Sequence, residues 1–252
     1  MERFPYGLEE DPRPRLGLIA LQADETVEDD FRRMLPRASA RLHVSRVPSG
    51  AELTPETIAA MEADLPGGAA LLPPAARYAA VAYGCTSGTT LIGAGRVRAL
   101  VQEHVRTRAV TNPLSAALAA ARALGLCRVG IVSPYVASVA APVRAAFETA
   151  GIAVPDMAGF GEGTEARVAR IAPASIRAAA GALAARADLD GLFLSCTNLR
   201  TLDIIAGLEA ELGLPVLSSN QVLGWHMARL AGIPAEIPGR LCGAGLPAAS
   251  ME

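Results

Sequence analysis

The sequence predicts an α/β protein made of two pseudo-symmetric Rossmann-like αβα halves with parallel sheets, its functional site lying in the cleft between them. Three observations carry this expectation. Continuous apolar runs of strand length alternate with helical segments along the chain, the pattern of buried parallel strands covered by helices. Two short segments return in order: Leu16-Gly17-Leu18-Ile19 as Val129-Gly130-Ile131-Val132, and Thr111-Asn112 as Ser219-Asn220. Between them, Val81-Ala82-Tyr83-Gly84-Cys85-Thr86-Ser87-Gly88 is echoed by Leu192-Phe193-Leu194-Ser195-Cys196-Thr197-Asn198. The three pairs are offset by 113, 108 and 111 residues, nearly constant, so one unit has been duplicated. A solenoid would instead repeat every ~20–50 residues.

Taken in order, residues 1–14 read as a loose arm, and Leu16 to Leu21 as the first buried strand. Asp24 or Thr26 can cap a helix in which Val27, Phe31, Met34 and Leu35 share a face. Leu42 to Val47 alternates like a second strand. Thr54-Pro55 opens a helix with a capping Thr and Pro at the first helical position. Ala79 to Tyr83 is the third strand, running into Cys85 and the mouth of a helix.

Arg108 to Pro113 is a short strand and turn, followed by an alanine-rich helix over 114–124 that closes at Gly125. The second round begins with a strand at 128–132 and a helix from about 136 to 150, stopped by Gly151. Ile152-Ala153-Val154 reads as a strand, and 164–187 as two helical stretches parted by Pro173. A strand at 191–194 leads to Cys196; a helix covers 201–212; Pro215 to Leu217 is the last strand, with a helix over 221–231. The expected units are 1–113 plus 221–252 for the first half and 114–220 for the second.

Composition narrows the chemistry. All 23 basic residues are arginine, which excludes lysine Schiff-base chemistry and a Walker-type phosphate loop. A net charge of −2 gives no electrostatic footprint for nucleic acid or anionic membrane. No apolar run is long and unbroken enough for a membrane span, and the first residues lack a signal-peptide core. The four cysteines show no C-x-x-C spacing and the three histidines are scattered, so no metal site and no cofactor is expected. Reduced thiols fit a cytoplasmic protein. The apolar helices leave room for a homodimer.

The chemistry then falls to thiols. A cysteine at a helix start meets the positive end of the dipole, which lowers its pKa and favours thiolate. Two such thiols facing one substrate suit removal of a proton on one side and its return on the other. They equally suit addition to a double bond that then rotates. Hydroxyl and N–H groups of Thr86, Ser87, Thr197 and Asn198 suit a carboxylate or an enolate-like oxyanion. Cys127 and Cys242 read as small buried hydrophobes. Asn112 and Asn220 read equally well as turn or cap residues, His226 as packing, and Arg96, Arg98 and Arg200 as exposed helix arginines.

The duplicated halves and both Cys-Thr turns resemble the aspartate/glutamate racemase superfamily. So do Ser133-Pro134-Tyr135 and Ser219-Asn220-Gln221 with Trp225-His226-Met227. Within it they are similar to the branch of maleate cis-trans isomerase, arylmalonate decarboxylase and the ectoine-utilisation protein A group, over roughly 15–232. The resemblance implies a catalytic pair, Cys85 and Cys196, with Tyr135 over a small carboxylate substrate held by the groups after each cysteine. Cys196 is the better candidate for nucleophile or base and Cys85 for the acid, with the reverse order open.

Two departures bear on substrate. Maleate isomerases carry an Asn after the first strand where this chain has Asp24, which would repel a dicarboxylate. The Asp24-Glu25-Thr26-Val27-Glu28 run looks more like the ectoine-utilisation group, whose substrates carry an amino group that Asp24 suits. A plain helix cap explains Asp24 as well. Arylmalonate decarboxylases keep only the second cysteine, whereas this chain has both. The expectation is a cofactor-independent isomerase or racemase acting on a small carboxylate, such as an amino-acid derivative from ectoine degradation. An arylmalonate-type decarboxylase and a non-catalytic carboxylate-binding protein are the alternatives.

Overall fold

A computed structural model of the chain describes residues 1, 3–50, 52 and 54–247. Its strands form two four-stranded sheets. The first contains β1 (Arg15–Leu21), β2 (Arg41–Val47), β3 (Tyr78–Gly84) and β4 (Val110–Thr111), in the order β2-β1-β3-β4. The second contains β5 (Val129–Tyr135), β6 (Met157–Glu162), β7 (Gly191–Leu194) and β8 (Val216–Ser218), in the order β6-β5-β7-β8. Every pairing is parallel. The two orders are the same, so the sequence duplication is a duplication of topology. The central strands are buried along their whole length, which is why they read as unbroken apolar runs.

The helices that precede β5 are α1 (Val27–Met34), α2 (Pro55–Ala70), α3 (Thr86–Ile92), α4 (Ala94–Gln102) and α5 (Pro113–Ala123). Those that follow are α6 (Ala137–Thr149), α7 (Glu165–Val168), α8 (Pro173–Arg186), α9 (Ile205–Leu212) and α10 (Ser219–Ala231). Local chemistry sets their ends. Thr54 and Thr57 form a capping box for α2, and Ser218 and Gln221 form one for α10. Asn112 caps α5 by accepting the Ser115 N–H at 2.8 Å. Pro173 occupies the first turn of α8, where its missing N–H is harmless.

Two helices follow Cys85 rather than one. Gly93 parts α3 from α4 with φ of +92°, a conformation that favours glycine. A second difference concerns the strand expected at 152–154. There Ala153 makes only an isolated bridge to Arg128, and the true strand is β6, a few residues on. Its sequence, Met-Ala-Gly-Phe-Gly-Glu, carries two glycines and forms a partly exposed sheet edge, so it lacks the apolar signature of its neighbours.

The long α10 packs on α5, β3 and α1, and its Trp225 is fully buried. Phe147 of α6 meets Phe193 of β7 at a ring distance of 5.4 Å. Among the described residues no helix is long and apolar enough to cross a membrane.

Candidate active site

Cys85 leaves the end of β3 and becomes the N-cap of α3, its Sγ accepting the Gly88 N–H at 3.1 Å. A side chain at Gly88 would come within 2.8 Å of both that sulfur and the Tyr83 hydroxyl, so the turn requires glycine. Cys196 leaves the end of β7 in the same topological position. Here the helix-start expectation fails. Thr197 and Asn198 form a turn, and a 3-10 turn (Leu202–Ile204) separates it from α9. The Cys196 sulfur instead accepts the Asn198 N–H at 3.2 Å and lies 2.8 Å from the Tyr135 hydroxyl. Both thiols are buried, with 6% and 3% of their surface exposed.

Burial overturns the expectation of ready thiolates. It pushes the Cys85 thiol up to about 12 against the opposing Gly88 N–H, and the Glu165 charge adds to the rise. Cys196 is pushed well above its usual value, first by burial and then by Glu165. A helix terminus contributes only about 0.3–1 kcal/mol, whereas an ion taken out of water costs several. Desolvation wins, and the resting site holds two thiols.

Asp24 and Glu165 bring carboxyl groups to the same place. Asp24 follows β1, and its Oδ1 accepts the N–H groups of Thr26 and Val27 at 2.8 Å each, as an ordinary helix cap would. Its Oδ2 is buried without a hydrogen bond of its own. The Thr197 hydroxyl lies beside it but donates to the Gly84 carbonyl at 3.3 Å. Glu165, the first residue of α7, accepts the Tyr135 hydroxyl at 3.0 Å and the Asn198 Nδ2 at 2.8 Å. Burial raises both acids above the ordinary carboxylate range, and each adds negative field at both thiols.

The remaining site residues knit the halves together. Thr86 Oγ1 meets Ser219 Oγ at 2.9 Å, and the same Ser219 oxygen accepts the Cys196 N–H at 3.0 Å. Asn198 accepts the Glu25 N–H through Oδ1 at 2.9 Å and the Thr26 hydroxyl through its carbonyl at 3.1 Å. Ser87 is buried in the first turn of α3. The structure thus gathers Cys85, Cys196, Asp24, Thr86, Tyr135, Thr197 and Asn198, but the two threonine hydroxyls hold protein partners in it.

Glu165 is the residue that sequence reasoning missed. It looks like a first-turn acid of a short helix after Thr164, and nothing local says that it reaches Tyr135, 30 residues away. Asn112 proves to be a cap, while Asn220 donates to Asp30 Oδ2 and to the Thr197 carbonyl, both at 2.8 Å. His226 bonds Thr111 at 2.7 Å and lines a cavity of about 330 Å³ with Asn112, Arg108 and Arg122, holding neither cysteine. Cys127 and Cys242, expected as buried hydrophobes, are exposed: Cys127 lies in the link from α5 to β5 and Cys242 in a 3-10 turn that follows α10. Among the described residues no group of three or more His, Cys, Asp or Glu is placed to hold a metal ion.

Residues 79–242 match the arylmalonate decarboxylase family. Maleate isomerase of Nocardia farcinica is 28% identical over 236 residues, 89% of this chain and 93% of the relative. Arylmalonate decarboxylase of Bordetella bronchiseptica is 36% identical over 124 residues, 48% of this chain and 51% of the relative. Among solved structures, a cysteine-to-serine mutant of the Nocardia farcinica maleate cis-trans isomerase carries a covalently bound succinylcysteine intermediate. It superposes with a TM-score of 0.83 at 26% identity, covering 91% of this chain and 98% of that one. A liganded double mutant of arylmalonate decarboxylase gives 0.82 at 28% identity, covering 90% and 98%. With the duplicated fold and paired cysteines, these matches place the chain in the arylmalonate decarboxylase family, as an enzyme of the branch of the aspartate/glutamate racemase superfamily that holds maleate isomerase and arylmalonate decarboxylase.

Proposed function

We propose that this protein is a cofactor-independent isomerase or racemase that acts with Cys85 and Cys196 on a small carboxylate bearing an amino group, such as an amino-acid derivative. One observation carries the reading: two buried thiols end equivalent strands of duplicated halves, and both lie in the field of the same two carboxyl groups. Asp24, with one oxygen unpartnered, supports an ammonium on the substrate rather than a second carboxylate. An ammonium placed there offsets the negative field and lets a thiol ionise.

Cys85 is the nucleophile or base and Cys196 the acid, the reverse of the order the sequence favours. The Cys85 sulfur receives an N–H from the first turn of α3. The Cys196 sulfur faces a phenol whose proton goes to Glu165. In racemisation, the Cys85 thiolate takes the α-proton from one face, leaving an enolate-like carbanion. Cys196 then gives its thiol proton to the opposite face and is left as thiolate. The succinylcysteine of the maleate isomerase mutant shows that a thiol of this fold can also add to carbon in that enzyme.

Cys85→Ala and Cys196→Ser should each abolish turnover while the far-UV spectrum and the melting transition remain. The assay is α-proton exchange in deuterated water across amino-acid derivatives and diacids. Full activity in either variant rules out two-thiol chemistry. Carbon dioxide release from an arylmalonate that survives Cys85→Ala would instead establish a decarboxylase.

A further inference from the structure

We infer that Glu165 is a positioning residue that draws the Tyr135 hydroxyl proton away from Cys196, so that the Cys196 thiol remains the proton donor of the pair. The inference rests on the two-thiol reading, but the arrangement that carries it is independent of any substrate.

Glu165 is 97% buried by the exposure of its surface (3%), and among the described residues no arginine forms an ion pair with it. Its two oxygens are used separately. Oε1 accepts from the Tyr135 hydroxyl and Oε2 from the Asn198 amide, while the Glu165 carbonyl takes the same amide at 3.2 Å. The Tyr135 oxygen also lies 2.8 Å from the Cys196 sulfur. A phenol has one proton to donate. A carboxylate is a much stronger acceptor than a thiol sulfur, so the proton goes to Glu165. The Tyr135 oxygen then has only lone pairs to offer Cys196, and the contact is satisfied when Cys196 is S–H. Ionising Cys196 would require Tyr135 to leave Glu165 and strand a buried carboxylate oxygen.

Cys85 shows what this arrangement adds. A tyrosine lies near that thiol too, for the Tyr83 hydroxyl and the Cys85 sulfur both flank Gly88. The Tyr83 hydroxyl donates to the Met61 sulfur at 3.9 Å. Among the described residues no carboxylate accepts the Tyr83 hydroxyl, so its proton is free to turn from the weak Met61 contact to a Cys85 thiolate. The two thiols are equivalent by topology and distinguished by Glu165.

The test measures iodoacetamide alkylation of Cys196 across pH, without substrate, by peptide mass spectrometry. The background is Cys127→Ser with Cys242→Ser, which removes the two exposed thiols. Glu165→Gln keeps the size and an acceptor oxygen but loses the charge. It should raise Cys196 alkylation about tenfold or more below its titration, since one pKa unit is a factor of ten. The high-pH fall in kcat should move to lower pH, because the acid then loses its proton sooner. Adding Tyr135→Phe should remove most of the alkylation gain. Glu165→Asp keeps the charge but shortens the reach, and it too should release Cys196. Unchanged alkylation in Glu165→Gln overturns the assignment. So does an equal gain with and without Tyr135, which would mean that the charge acts alone. Either result leaves the two-thiol reading to be judged on the turnover of Cys85→Ala.

Discussion

The two oxygens of Asp24 stand in different environments. Oδ1 caps the start of α1, and any residue with a short acceptor could do the same. Oδ2 is buried without a hydrogen bond, a state that costs free energy unless a ligand completes it. Asp24→Asn separates the two. The amide oxygen preserves the cap, so stability should change by no more than about 1 kcal/mol. The charge is lost, so KM for an amino-bearing substrate should rise tenfold or more while kcat falls less, as for ~1.4 kcal/mol of lost ion pairing. The pH sign follows from burial, which raises Asp24 above its ordinary value. Its ionised form is lost as pH falls through that raised value, so wild-type KM should rise on acidification. In Asp24→Asn that rise should be absent, and the pH dependence of KM in steady-state kinetics would reveal it. An unaltered KM leaves Asp24 as a cap and nothing more.

At the scale of elements, α1 and α10 pack directly on each other and are joined by Asp30 and Asn220. Burial pushes Asp30 up to about 6 from 3.8, with the Asn220 amide and the Arg33 charge opposing it. The folded protein therefore holds a proton that the unfolded chain releases, and stability grows as pH falls from 7 through 6 toward 4. The shift corresponds to at most about 3 kcal/mol. Asp30→Asn should remove that component, so urea denaturation at pH 7 and 5 should differ less in the variant than in the wild type. Which elements were legible follows from the same burial. Leu16 to Leu21 and Leu192 to Leu194 are buried on both faces and read as apolar runs. β6 is a glycine-bearing edge and did not. Both cysteines were legible because each ends such a run. Glu165 was not, because its meaning depends on Tyr135, 30 residues back and beyond both α6 and β6. The thiol protonation state was not legible either, since helix-start logic omits how deeply the site is buried.

For the whole molecule, duplication brings both thiols into the field of the same two carboxyl groups, and joint action by the pair requires the walls that carry them to keep their spacing. The contacts that set this spacing are reciprocal. Thr197, after β7, donates to the Gly84 carbonyl at the end of β3, and Thr86, after β3, bonds Ser219 at the start of α10. Ser219 is the node, because its one oxygen also accepts the Cys196 N–H. That ties the backbone of one thiol to the turn that carries the other. Ser219→Ala would leave the Thr86 hydroxyl and the Cys196 N–H without this partner at a site closed to water. A buried group so stranded costs about 1–3 kcal/mol, so the variant should lose roughly that much stability in denaturant titration. The kinetic consequence should be larger than the thermodynamic one. If, as proposed, a proton leaves through Cys85 and returns through Cys196, the transition state needs both sulfurs aligned on one carbon, whereas binding the proposed substrate needs only its carboxylate and ammonium contacts. The variant should therefore lose kcat by tenfold or more with KM changed less, and Thr86→Val, which breaks only one of the two bonds, should lose less. Equal losses in kcat and in binding would mean that Ser219 supports the fold generally and does not set the spacing of the thiols.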